Sequence, residues 1–171
     1  MSQTSDFSLR PATVLDADRC WQILQQGKAQ MFREGKKQWT TTYPSRQSVE
    51  SDLEHGAAYV LERRGEVVAY GAVIFDGEPA YAQIEDRWLT HGDYVVIHRL
   101  AVADEAKRQG VAREYFNQVM HMAAQRGVHS IKVDTNYDNF YMQHLLRSLE
   151  FTYCGDVIYP QGSRLAYEKV F

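Results

Sequence analysis

The sequence predicts a single α/β domain built on a mixed β-sheet, in the order β-α-α-β-β-β-α-β-α-β-β. Three observations carry that expectation. Residues 94–102 are an almost unbroken apolar, β-branched run, which suits a strand buried on both faces. A short loop with cations and a glycine follows, and then Val111, Tyr115, Val119 and Met122 recur at three- and four-residue steps, so an amphipathic helix begins near Gly110. Helix and strand alternate through the second half, which implies parallel pairing there. The 171 residues contain no internal repeat, linker or low-complexity tract and fit one domain with a sizeable core.

Each element has its own local reason. Phe7 to Arg10 alternates as a short strand that Pro11 stops. Thr13 and Asp16 stand at capping-box spacing, ahead of a helix with Trp21, Ile23, Leu24 and Met31 on its apolar face. Residues 35–44 read as a loop, with Trp39 and Tyr43 among polar neighbours. Ser45 caps a second helix that runs to about His55, before Gly56. Strands at 57–63 and 66–75 are joined by Arg64-Gly65, a hairpin turn, and Gly71 inside the second marks a bulge or close packing. Residues 77–93 are irregular and rich in aromatics and acids; a loop of that length in a compact domain is more often functional than idle.

After the 94–102 strand, the helix from Gly110 to Arg126 is ended by Gly127. Ser130 to Thr135 is a short strand, and Asn139 to Leu149 a helix with Met142, Leu145, Leu146 and Leu149 at helical spacing. Phe151 to Tyr159 and Arg164 to Val170 are the last strands, around a turn at Pro160-Gln161-Gly162. Residues 1–6 are expected to be a disordered start, and 7–171 the domain.

Composition narrows the function. A net charge of −3 argues against nucleic acid as the main partner, since phosphate backbones demand a strongly basic surface. No apolar run approaches the ~20 residues of a membrane span, and Met1 to Asp6 lack a signal-peptide core, so a cytoplasmic protein with no membrane partner is expected. Cys20 and Cys154 are too few for a disulfide framework and lack zinc spacing. The six histidines are scattered without a tight ligand pattern, so no metal is expected.

The strand–loop–helix unit suits a diphosphate. The first helical N–H groups have no intrahelical partners, the helix dipole adds partial positive charge there, and Gly110 lets an anion approach the backbone. The alternative is an ordinary strand-to-helix connection with solvated basic residues.

Two motifs together carry a family resemblance. Lys107-Arg108-Gln109-Gly110-Val111-Ala112, preceded by Leu100-Ala101-Val102, resembles the acetyl-CoA motif Gln/Arg-x-x-Gly-x-Gly/Ala of the GNAT N-acetyltransferases, with Lys in the first position. Asn139 to Phe151 is similar to that family's Asn-x-x-Ala-x-x-Leu-Tyr-x-x-x-Gly-Phe: Asn139, Leu145 and Phe151 agree, whereas Met142, Leu146 and Glu150 do not.

The resemblance implies a cleft between splayed fourth and fifth strands. It implies pantetheine pairing along Leu100, Ala101 and Val102, and a diphosphate on the 107–113 loop, Arg113 included. Asn139 is expected at the pantetheine arm, with Met142 beside it as a further cofactor contact. It also implies direct attack of a primary amine on the acetyl-CoA thioester in a ternary complex. The acceptor is expected to be a small molecule, and a homodimer is left open. Alternatives are an acyl-CoA sensor with little turnover and an enzyme acting on protein N-termini or lysines.

The family's acid is often a Tyr where this chain has Leu146, so Tyr141 and Tyr153 are substitutes for that role. His98 is the leading base candidate, against the alternative of a hydrogen-bonded core histidine; strand alternation places it on one face with Leu100 and turns Arg99 to the other. Glu78 and Glu85 are candidates acting through water. Asp134, at the end of the fifth strand, lies by family analogy near the reacting carbonyl. Trp39, Tyr43, Tyr81 and Trp88 are expected to wall the acceptor pocket, where neighbouring acids suit a cationic amine.

Overall fold

A computed structural model describes residues 5–171. The strands are β1 (Phe7–Pro11), β2 (Ala58–Arg63), β3 (Glu66–Ile74), β4 (Val95–Val102), β5 (Ser130–Thr135), β6 (Thr152–Tyr159) and β7 (Gly162–Val170). The helices are α1 (Ala17–Arg33), α2 (Arg46–Glu54), α3 (Val111–Gln125) and α4 (Phe140–Ser148). This is the expected order, with short 3₁₀ segments at Val14–Asp16, Pro79–Ile84 and Asp104–Ala106 added. The Thr13/Asp16 capping box forms, but it serves the first of these segments, and α1 continues from there. Residues 1–4 of the expected disordered start lie outside the described residues. Ser5 donates to Glu114, and Asp6 pairs with Arg64.

The sheet has the order β1-β2-β3-β4-β5-β7-β6 and is antiparallel except between β4 and β5. Tyr70 and Gly71 are neighbours on β3 and so face opposite sides. Tyr70 hydrogen-bonds to Asp52 of α2, whereas a Cβ at Gly71 would lie 2.7 Å from the Tyr115 hydroxyl of α3. α2, with α1 packed beside it, therefore covers one face, and α3 the other. Gly71 answers both readings of that position: no side chain fits under Tyr115, and the strand register shifts there.

Two irregularities make room for a site. β4 and β5 pair only through Val95–Ile131 and Val96–Lys132, and separate beyond that point. On the other edge of β4, Tyr70 opposes Ala101 and Ala72 opposes His98, so Gly71 alone faces both Arg99 and Leu100. That bulge turns at Arg99, whose φ is +56°.

The 77–93 segment is not a free loop. Tyr81, Ile84 and Trp88 form a second apolar cluster with Val96, Cys154, Val157 and Ala166. Lys132 is buried beneath it, 4.5 Å from the Trp88 ring centre, 4.1 Å from that of Tyr94 and 3.8 Å from Glu168. No helix among the described residues is long and apolar enough to cross a membrane.

Candidate active site

Two cavities meet in the gap between β4 and β5. The first, about 320 Å³, is bordered by Leu100, Ala101 and Val102 of β4, by Lys107, Arg108, Val111 and Ala112, and by Asn139, Tyr141 and Met142 at the start of α4. The second, about 390 Å³, holds Glu78, His98, Arg99, Asp134, Tyr43 and Arg164. Met31, Trp39, Leu100, Asn139 and Met142 line both.

The loop before α3 is built to receive an anion. Arg108 and Gly110 have φ of +61° and +76°, and Gly110 occupies the N-cap with no side-chain cap. The first helical bond runs from the Glu114 N–H to the Gly110 carbonyl, which leaves the N–H groups of Val111, Ala112 and Arg113 without protein acceptors among the described residues. Its chain neighbours aside, no atom of the described residues lies within 4 Å of where a Gly110 Cβ would stand, so the space over these donors is open. This donor set fits a diphosphate.

Side chains in the motif divide their work. Lys107 pairs with Asp104 at 2.6 Å, while Arg108 is exposed and makes no ion pair among the described residues. Gln109 and Arg113 are directed elsewhere: Gln109 binds Arg63 and the Glu105 carbonyl, and Arg113 ties α3 to Ser148 of α4. Their side chains are therefore occupied away from the open donors at the start of α3. Lys36, which the sequence did not single out, also lines this cavity, with Nζ 4.7 Å from the Phe140 ring centre.

Gln38 holds the junction together. Its Oε1 accepts from Thr135 Oγ1 at 3.3 Å, from the Asn136 N–H at 3.2 Å and from Asn139 Nδ2 at 3.2 Å. Asn139 in turn caps α4 through Oδ1 and the Met142 N–H. Trp39 leans on α1, where a Cβ at Gly27 would come within 2.9 Å of its ring.

In the second cavity, His98 Nε2 lies 3.0 Å from Glu78 Oε2. Glu78 also accepts the Ala80 N–H and begins the Pro79–Ile84 segment. The His98 hydrogen bond, helped by the Ala80 N–H and opposed by burial, holds the Glu78 carboxyl below its usual range. A carboxylate only accepts, so Nε2 carries the proton in that bond. Nδ1 is then the nitrogen with a lone pair in the neutral ring, and it has no protein partner among the described residues.

Arg99 lies on the same cavity, not the opposite side, because the positive φ at the bulge breaks the alternation. Its guanidinium grips Asp52 and reaches the Tyr43 hydroxyl at 3.1 Å. Burial works against that charge, but Asp52 outweighs it, and Arg99 stays above its ordinary pKa. Asp134 Oδ2 accepts from Tyr81 at 2.7 Å and from Tyr159 at 2.9 Å. Burial and then the Asp134 charge push both phenols up, so they remain donors.

Several expected placements are corrected. Tyr81 and Trp88 do not wall the acceptor cavity: both are buried in the second cluster, where Trp88 Nε1 donates to the Tyr81 carbonyl and Tyr81 orients Asp134 from behind. Of the two acid candidates, Tyr141 is exposed and lines the first cavity. Tyr153 bonds Asp156 and lines neither cavity, and Glu85 is an exposed neighbour of His91. Leu146 is fully buried and lines neither cavity. Sequence reasoning missed Arg99, Gln38, Tyr159 and Arg164. Of these, only Tyr159 and Arg164 carried a signal, flanking the Pro-Gln-Gly turn.

Comparison with known proteins agrees with this geometry. The family model described as Acetyltransferase (GNAT) family matches residues 19–151, most of the chain. An acetyltransferase of the GNAT family from Streptococcus agalactiae is 28% identical with a TM-score of 0.88, over 96% of this chain and 95% of that one. A ribosomal-protein-alanine N-acetyltransferase from Brucella melitensis is 21% identical with a TM-score of 0.68, over 96% and 99% of the two chains. The yncA structure from Salmonella typhimurium, solved with its cofactor acetyl-CoA, is 13% identical with a TM-score of 0.68, over 97% and 94%. The last two similarities show the fold alone. No curated protein matches the chain significantly in sequence.

Proposed function

The chain belongs to the GNAT acetyltransferase family, an acyltransferase that uses acetyl-CoA, and on that premise we propose that it acetylates the primary amine of a small cytoplasmic molecule. The observation that carries this reading is the second cavity, which adjoins the cofactor cleft at Leu100 and Asn139 and contains a hydrogen-bonded His98–Glu78 pair. About 390 Å³ is the size of a small-molecule site.

Bound acetyl-CoA supplies an acetyl group activated as a thioester. The chain's residues do the rest. The N–H groups of Val111 to Arg113 and the Arg108 guanidinium hold the diphosphate, and the β4 edge from Leu100 to Val102 offers backbone groups to the pantetheine arm.

An amine of pKa ~8 to ~10 arrives mostly protonated and must lose a proton before its nitrogen can attack. His98 Nδ1 receives that proton, directly or through a water. Glu78 fixes the ring tautomer and stabilises the imidazolium that results, so it is a positioning residue. Asp134 offers a carboxylate to the incoming ammonium, and Arg99, bound to Asp52, keeps the bulge in place. With Leu146 buried, no tyrosine at that position protonates the leaving thiolate, and solvent serves.

Thiol release from acetyl-CoA in the presence of a panel of primary amines tests the reading. Amine-dependent release, with an acetylated amine recovered by mass spectrometry, is expected. Tight acetyl-CoA binding with no amine-dependent release would instead support a sensor. Release that requires a folded protein or peptide acceptor would move the substrate to the protein class.

A further inference from the structure

Charge pairing in the acceptor cavity leaves two groups over. Arg99 is engaged by Asp52, and Glu78 by His98. Asp134 and Arg164 line the same cavity, and neither makes an ion pair among the described residues. Asp134 is held from one side: Tyr81 and Tyr159 both donate to Oδ2, and Oδ1 has no protein donor among the described residues. Arg164 is oriented through Nη1, which donates to Asn136 Oδ1 at 3.3 Å and to the Ser163 carbonyl at 3.1 Å. Asn136 is itself buried and pinned by its bond to Asp138 Oδ1 at 2.7 Å. Nε and Nη2 of Arg164 have no protein acceptor among the described residues.

The two groups are set close together. Asp134 and Asn136 are two residues apart at the end of β5, about 7 Å along an extended chain. Asn136 holds Arg164 through Nη1, so the cavity presents one oriented anion and one oriented cation, anchored at backbone positions two residues apart. That arrangement complements a small zwitterion and opposes a dication, which would bring a second positive charge to Arg164.

We propose that the acceptor carries a carboxylate a few bonds from its reactive amine, as an amino acid does, with Asp134 receiving the ammonium and Arg164 the carboxylate. The guanidinium fork is suited to that partner, since two of its nitrogens can meet two carboxylate oxygens. A polyamine or a simple amino sugar has no group for Arg164. A peptide N-terminus has an amide where the free carboxylate would be. The inference rests on the reading of this cavity as the acceptor site.

The test compares acceptors that differ only in the anionic group: an amino acid, its amide, and the amine that lacks the carboxyl group. For the wild-type enzyme kcat/KM is expected to favour the amino acid by about tenfold or more, the scale of one charge-assisted hydrogen bond. In Arg164→Gln the ratio should fall close to one, and Arg164→Lys should restore part of it. Each ratio is internal to one preparation, so partial loss of folded protein does not distort it. A wild-type ratio near one or below it, or a ratio unmoved by Arg164→Gln, would overturn the proposal while leaving acetylation of small amines standing. If no amine of any charge type is turned over, although acetyl-CoA binds, the acceptor-site reading falls and this proposal with it.

Discussion

At His98 the decisive atom is Nδ1, because Glu78 occupies Nε2. His98→Gln is expected to lower kcat/KM by roughly 10²- to 10⁴-fold, the range of general base catalysis, and to remove the acidic limb of the pH–rate profile. A core histidine would behave differently: its loss would lower the melting temperature and leave the profile unmoved. Glu78→Gln should keep the fold but lower kcat/KM, since an amide can also donate to Nε2 and no longer fixes the ring tautomer that leaves Nδ1 free.

The same pair has a signature in stability. The folded Glu78 carboxyl lies below its ordinary value of 4.5, so its stabilising contribution is complete above that pH and is lost as pH falls through the lowered folded value. Denaturation midpoints of wild type and Glu78→Gln should therefore differ at neutral pH and converge in acid. A constant difference down to the acid limit would count against the pairing.

The sequence made His98, Glu78 and Asp134 visible as chemistry, but not as an arrangement. Nothing in the linear order puts Glu78 within 3.0 Å of His98. Aromatics among polar residues look like a binding wall, yet Tyr81 and Trp88 bury themselves because β6 and β7 offer them an apolar surface.

Among the elements, the β4–α3 junction was the most legible, and β4 itself the least. A cationic, glycine-bearing loop between an apolar strand and an amphipathic helix can be read without a structure, and so can the turns at Gly56, Arg64-Gly65 and Gly127. The bulge at Arg99 cannot, because arginine has no preference for positive φ; Gly71 was its one visible trace. The 3₁₀ segments escaped for a similar reason, being too short to show a period.

Gly110→Trp tests the junction. The open space at this position means the indole need not collide with protein, but it would stand over the N–H groups of Val111 to Arg113. Acetyl-CoA affinity measured by calorimetry should fall at least tenfold, about 1.4 kcal/mol. Unchanged affinity in a folded variant would place the diphosphate elsewhere.

For the whole molecule, the order of elements along the chain and the parallel β4–β5 pair followed from helix–strand alternation, whereas the insertion of β7 between β5 and β6 had no signal in the sequence, and the separation of β4 and β5 entered through family resemblance. That separation is what joins the two cavities: beyond Val96 no ladder closes the gap, and Leu100, Asn139 and Met142 face both sides of it. On the proposed placement cofactor and acceptor have room to be bound together, and among the described residues no cysteine or serine lines either cavity; Cys20 and Cys154 lie in the apolar clusters. Direct transfer within a ternary complex is the kinetic behaviour we propose. The measurement that tests it most directly is the initial rate of amine-dependent thiol release with acetyl-CoA and acceptor varied together. Double-reciprocal lines that intersect are predicted. Parallel lines, which report a covalent acetyl-enzyme, or thiol release independent of the amine, would contradict the account.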